Sequence, residues 1–252
     1  MLKIQRHEAL GIKQVIRFEW MVKTVNLLLA GLDKKQIRQE LHEYLSESKG
    51  SGATAVRGAT SRSQAVNMLM KIWVSPAKEL VPLRDEALTL FRSHSEDNIC
   101  IHWCMVSAAY PFWFNVALQI GRLLNLQDKV TQRQIFDRLK EQYGDRETVA
   151  RYARYAVRSM VAWDLLKDSP KKGCYEKTNE TCVADPAITV LMLESALQAS
   201  PQGKGELGLL LNSPAFFPLQ PSVISGDFVS QKNDRVDMLR YGLDDELLKL
   251  IF

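Results

Sequence analysis

Three arginines, Arg151, Arg154 and Arg158, recur at steps of three and four residues in "GDRETVARYARYAVRSM" (144–160). At about 100° per residue they share one narrow helical face, while Val149, Ala153, Ala156, Val157 and Met160 form the opposite, apolar stripe. One side is built to pack and the other to carry positive charge. Asp145 is the expected N-cap of this helix. Guanidinium groups bind phosphate through charge-assisted, bidentate hydrogen bonds, so the chemistry this pattern offers is recognition of a polyanion. Glu147 stands in register for an i,i+4 ion pair with Arg151, whereas Arg154 and Arg158 have no acid at i−4. Tyr155 and Ser159 flank the arginines with groups suited to a phosphate or a base.

The neighbouring sequence supports that reading. "TQRQIFDRLKEQY" (131–143) opens with a Thr cap and repeats apolar residues at Ile135, Leu139 and Tyr143 before Gly144 breaks the run. "SPKKGCYEK" (169–177) follows the arginine helix. Helix, glycine turn, basic helix and Lys-bearing hairpin are the parts, in order, of a winged helix-turn-helix module, whose second helix enters the DNA major groove. Lys171 and Lys172 would then neutralise flanking phosphates. Arg133, Gln134 and Arg146 complete the contacts expected from this segment. The loop "GSGATAVRGATSRS" (50–63) lacks the Gly-Lys-Ser/Thr ending of a Walker A loop; it reads as a connector whose Arg57 and Arg62 are placed to brush a DNA backbone.

Other constellations carry less chemistry. "CIHWC" puts Cys100 and Cys104 one helical turn apart, and Cys174 and Cys182 could complete four thiolates, but the close C-x-x-C spacing is missing. Buried free thiols are the expectation, with no metal and no cofactor. The pattern contains no nucleophile elbow, no H-E-x-x-H helix and no carboxylate cluster suited to Mg²⁺, and His7, His42, His94 and His102 are scattered, so no enzyme is expected. "YPFWF" (110–114) has apolar flanks and reads as core rather than a stacking platform for bases.

The chain has 252 residues, 46% of them hydrophobic, enough for a large core. Its formal net charge is +4, yet residues 129–177 hold 12 Lys and Arg against 7 Asp and Glu, so the excess is local. The four cysteines suit a reducing compartment, no secretory signal pattern opens the sequence, and the cytoplasm is the expected location. The apolar stretch 11–31 carries Lys13, Arg17, Glu19 and Lys23 and is expected to be an amphipathic helix rather than a membrane span. Gly31 then stops it and Asp33 caps the next helix, giving an αα-hairpin. Helices are expected around 64–74, 82–93, 97–111, 111–126, 131–143, 145–160 and 185–200, the pair divided at Pro111 forming the core, with almost nothing reading as strand before Leu166. The ending "RVDMLRYGLDDELLKLIF" fits a hairpin and a final helix equally.

The expected fold is mostly α: a multi-helix bundle over residues 1–128, a winged helix-turn-helix-like segment over 129–182, and a small α+β portion over 183–252. The series "LLLAGLDKKQIRQELHEYL", "SRSQAVNMLMKIWVSPAKELVPLRDEA" and "HWCMVSAAYPFWFNVALQIGRLL" resembles the A component of BREX bacteriophage-defence systems, a family of small helical proteins with a NusB-like fold. The similarity covers residues 19–167 and lies in the order of elements. It implies DNA binding in support of a larger defence complex containing a methyltransferase and an ATPase. The resulting expectation is a non-catalytic accessory that binds double-stranded DNA and contacts other defence-system proteins, with sequence preference requiring a homodimer. The rival is an interaction scaffold whose arginine face docks on an acidic partner and never meets DNA.

Overall fold

In the computed structural model, residues 6–47, 58–94, 98–178, 181–183, 185–242 and 245–251 are described. The first two helices follow from their punctuation. Helix α1 (Phe18–Leu29) buries Trp20, Met21, Thr24, Val25 and Leu27. Gly31, at φ 79°, donates its N–H to Leu28, and the N–H of Leu32 reaches back to Leu27. That is a Schellman ending, which needs a residue tolerant of the left-handed region. Asp33 Oδ1 then accepts from the N–H groups of Lys35 and Gln36, starting α2 (Lys34–Glu47), whose Ile37, Leu41 and Leu45 are fully buried.

Helix α3 (Ala59–Leu69) runs into a π turn at Met70–Val74, ahead of Pro76. Pro82 sits in the first turn of α4 (Val81–Ser93). Helices α5 (Asn98–Ala109) and α6 (Pro111–Leu124) meet at Pro111. Every residue from Cys100 to Trp113 is buried, so "YPFWF" belongs to the core, with Phe114 partly covered at its edge. Gly121 lets α6 touch the turn at Pro214–Phe216: a Cβ there would lie 1.7 Å from the Pro214 carbonyl oxygen.

Strand β1 (Lys129–Thr131), α7 (Gln132–Tyr143), α8 (Glu147–Ala162), β2 (Leu166–Asp168) and β3 (Cys174–Lys177) follow. The sequence offers no strand before Leu166, and β1 corrects that expectation. It is only three residues long, too short for a period-2 pattern to show.

After β4 (Thr181–Cys182) comes α9 (Pro186–Ala199), buried along its whole length from Ile188 and packed on α4, α5 and α6. The central layer is therefore the α5–α9 pair. Side chains from elsewhere meet several of its polar groups. Arg6 donates to the carbonyls of Ala108, at the end of α5, and Gln198, at the end of α9, at 2.7 and 2.8 Å. A cation there also faces the negative ends of two helix dipoles. Glu194 accepts from Asn233 and from both Nε and Nη2 of Arg235.

The remainder comprises β5 (Lys204–Glu206), α10 (Leu207–Leu211), β6 (Leu219–Gln220), α11 (Gly226–Lys232), β7 (Val236–Arg240) and β8 (Glu246–Leu250). The ending is a hairpin, since β7 and β8 pair antiparallel, and the sheet order is β5-β8-β7. Strands β4 and β6 form a short parallel pair. One apolar cluster runs from Ile12 to Leu219, and a smaller one joins Val190, Leu193 and Leu197 of α9 to Val236, Leu248 and Leu250. The fold is mostly helical with small sheets, and no helix among the described residues is long and apolar enough to cross a membrane.

Candidate nucleic-acid interface

The unit 129–177 is one antiparallel sheet in the order β1-β3-β2 with α7 and α8 inserted between β1 and β2. Its local chemistry explains the shape. Thr131 ends β1 and caps α7 in a full capping box: its hydroxyl accepts the N–H of Gln134, and the Gln134 side chain accepts the N–H of Thr131. Gly144, at φ 80°, turns the chain between the helices. Helix α8 starts at Glu147 with Arg146 in the cap position and no side-chain cap, so Asp145 does not play the capping role expected of it. Asp145 instead pairs with Lys140 at 3.0 Å. Gly173, at φ 76°, closes the β2–β3 turn.

The apolar stripe of α8 is buried as its spacing requires, with Val149, Ala153, Ala156, Val157 and Met160 all inaccessible. On the opposite face Arg151 and Arg154 are exposed, and neither has a carboxylate partner among the described residues. The expected Glu147–Arg151 pair does not form; the Arg151 guanidinium lies 5.5 Å from the Tyr152 ring centroid instead. Glu147 remains in the first turn, where the helix dipole favours an acid. Tyr152 and Tyr155 are stacked alongside, their centroids 6.3 Å apart.

Arg158 departs from expectation. Its Nη1 donates to both carboxylate oxygens of Asp168 on β2, at 2.6 and 2.7 Å. The bond to Asp168 raises the pKa of Arg158, with burial opposing it. Arg158 is thus the strap joining helix to sheet. Tyr175 on β3 completes the junction: burial raises its pKa, the charges of Arg158 and Arg154 pull it down, and its hydroxyl donates to Gln132. Ser159 is also reassigned. It is fully buried, its hydroxyl accepting the N–H of Ile16 and donating to the Tyr155 carbonyl, so it anchors the N-terminal segment and faces no solvent.

The sheet register disposes of two more charges. Glu176 sits across from Lys129 on β1 and Lys167 on β2 and pairs with both, at 2.8 and 3.5 Å, and its pKa is lowered first by the bond from Lys129. Lys171 and Lys172, in the β2–β3 turn, are exposed and have no carboxylate partner among the described residues. Exposed Arg133 pairs loosely with Asp137 at 3.6 Å. Gln134 is committed to the helix cap and to Gln127. Arg146 is exposed, with Nη2 on the Tyr143 carbonyl. Arg62 stands on α3 near His42 of α2, whose pKa is lowered by burial and then by Arg62 and Arg38. Arg57 lies outside the described residues.

The exposed cations of this unit without a carboxylate partner among the described residues include Arg151 and Arg154 on α8 and Lys171 and Lys172 on the β2–β3 turn. Asp168 and Tyr175 are the site residues that sequence reasoning missed. Among the described residues no three His, Cys, Asp or Glu side chains lie together as a metal group. Cys100, Cys104 and Cys174 are buried thiols, and burial raises the pKa of Cys104 strongly. Comparison of the chain with protein-family models, curated proteins and solved structures found no match.

Proposed function

We propose that residues 129–177 are a winged helix-turn-helix through which the chain binds double-stranded DNA, with α8 in the major groove and the β2–β3 turn on the flanking backbone. The observation that carries this reading is the pair of exposed, acid-free arginines on α8, set beside a sheet of order β1-β3-β2 whose turn bears two further free lysines. With no acid of its own to compensate it, this face leaves its guanidinium groups open to the phosphates of a polyanion. Arg158 serves the junction and is not a DNA contact. The chain acts on DNA without chemistry, in the cytoplasm, and its resemblance to the A component of BREX systems supports a place as accessory to a phage-defence assembly.

The test is fluorescence anisotropy of a duplex of about 30 base pairs across a salt series, using the native chain and Arg151→Glu/Arg154→Glu. Four phosphate contacts give a log–log salt slope of about −3.6, and the double variant should lose roughly half of it. A folded variant that binds like the native chain, or a native chain that does not bind at about 50 mM salt, refutes the proposal. The face would then be a dock for an acidic protein surface.

A further inference from the structure

A cationic concavity lies beside the first turns of α8. It has a volume of about 600 Å³ and is walled by residues 8–13, by α3 with its π turn, and by the start of α8. Leu10, Gly11, Met68 and Tyr110 form an apolar floor. Gly11, at φ 69°, lies so close over the Tyr110 ring that a Cβ would come within 2.5 Å of Cδ1. Above that floor stand Lys13, Lys71 and Arg146. Lys71 is placed by the π turn, a helical irregularity found frequently at functional sites, with its ammonium 4.6 Å from the Tyr110 ring centroid.

The charges in this cavity are not balanced internally. None of Lys13, Lys71 and Arg146 forms an ion pair among the described residues. Glu79 offsets part of the charge on Lys71 but is itself paired with Arg6 at 3.7 Å, and Glu8 lies exposed at the rim. Burial, then the like charges of Arg6 and Lys13, lower the pKa of Lys71, which marks a site where positive charge is crowded and partly dehydrated. Such a cluster is stabilised by an anion. Hydrogen-bonding groups are in place as well: Asn67 accepts from Arg38 through Oδ1 at 2.7 Å, leaving its amide N–H groups for a ligand, and Thr148 lines the same space.

We propose that this cavity binds a nucleoside phosphate, with the phosphate held by Lys13, Lys71 and Arg146 and the base laid against the partly exposed Leu10 and Tyr152 beside Asn67. Its volume suits one small ligand, and an apolar floor with a few convergent polar groups is the usual composition of such a site. The nucleotide is either free or a residue of a bound strand, the shared chemistry being a phosphate next to a flat base. This assignment does not rest on duplex recognition by α8.

The experiment is calorimetric titration of the full chain with each of the four common ribonucleoside monophosphates and with inorganic phosphate, at matched ionic strength. At least one nucleotide should bind with a Kd below about 1 mM, and inorganic phosphate about tenfold more weakly. Lys71→Met should weaken that nucleotide about tenfold, and K13Q, an exposed substitution that spares the fold, about threefold. Lys171→Glu/Lys172→Glu, on the β2–β3 turn and outside the cavity lining, should leave the Kd unchanged while weakening duplex binding, which separates this site from the duplex face. Saturation with the duplex assigns the source: displacement of the nucleotide means a strand residue fills the cavity, and no displacement means a free nucleotide does. The proposal is overturned if no nucleotide binds at about 10 mM, or if K13Q and Lys71→Met both bind as the native chain does.

Discussion

His102 makes the stability of this fold depend on pH in a way that one substitution should remove. The imidazole is fully buried, with neither ring nitrogen meeting a hydrogen-bond partner among the described residues. Phe18, Trp73 and Phe91 approach it with centroids at 5.3 Å, and Trp163 stands at 6.4 Å. Desolvation in this aromatic cage pulls its pKa from 6.5 down to about 3. A base whose pKa is depressed by folding binds its proton more readily in the unfolded chain. The contribution to stability is therefore complete above pH 6.5 and is lost progressively as pH falls toward 3. Between pH 7 and pH 5 this linkage amounts to about 2 kcal/mol, or roughly 30-fold in the unfolding equilibrium. Leucine fills a similar space without titrating, so urea unfolding of native protein and His102→Leu at both pH values isolates the effect. The native chain should lose about 2 kcal/mol more than the variant over that interval. Equal losses, within about 0.5 kcal/mol, would show that the ring is not kept neutral by its cage.

Three other perturbations follow from contacts already described. Gly121→Ala drives a methyl group into the Pro214 carbonyl and should cost about 3 kcal/mol or more, read as a fall in Tm. Arg235→Met leaves the Glu194 carboxylate buried with only Asn233 as donor and should destabilise by about 3–5 kcal/mol in urea titration; a loss under about 1 kcal/mol would remove the Arg235–Glu194 contact from the list of important ones. Asp168→Asn frees Arg158 from its strap, so the salt slope for duplex binding should steepen by about one unit while stability changes by less than about 1 kcal/mol. An unchanged slope would place Arg158 out of reach of the duplex even when released.

The punctuation of the chain was readable in advance where a local rule governs it. Gly31 and Asp33 define the α1–α2 corner and Thr131 caps α7, whereas the Pro and Gly after Leu166 fit a hairpin or a loop, and the fold makes it a hairpin. What failed was everything set by distant partners. The i,i+4 rule assigned an acid to Arg151 and none to Arg158, and the fold does the reverse, because Asp168 comes from a strand beyond the helix end. Ser159 looked exposed on a helical wheel, but the segment bearing Ile16 crosses that flank and covers it. The run of large apolar residues marks α5 as core, but α5 and α9 show no amphipathic stripe, so nothing local says that they pack on each other. The cavity beside Lys71 is assembled from three separated segments, and no spacing within any one of them points to it.

The β5-β8-β7 order has a bearing on how the chain comes to be folded. Strand β8 is the middle strand, yet it follows both of its neighbours in the sequence. As the polypeptide leaves the ribosome, β5 and β7 each present an open edge, and Val190, Leu193 and Leu197 of α9 lack the cover of Leu248 and Leu250, until residues 246–250 emerge. At ordinary synthesis rates of about 5–20 residues per second that exposure lasts for seconds, long enough for a chaperone to engage it. Premature termination between Arg240 and Glu246 would convert this pause into a permanent state, with two unpaired strand edges and a bare apolar helix face, and the product would be a substrate for aggregation and proteolysis.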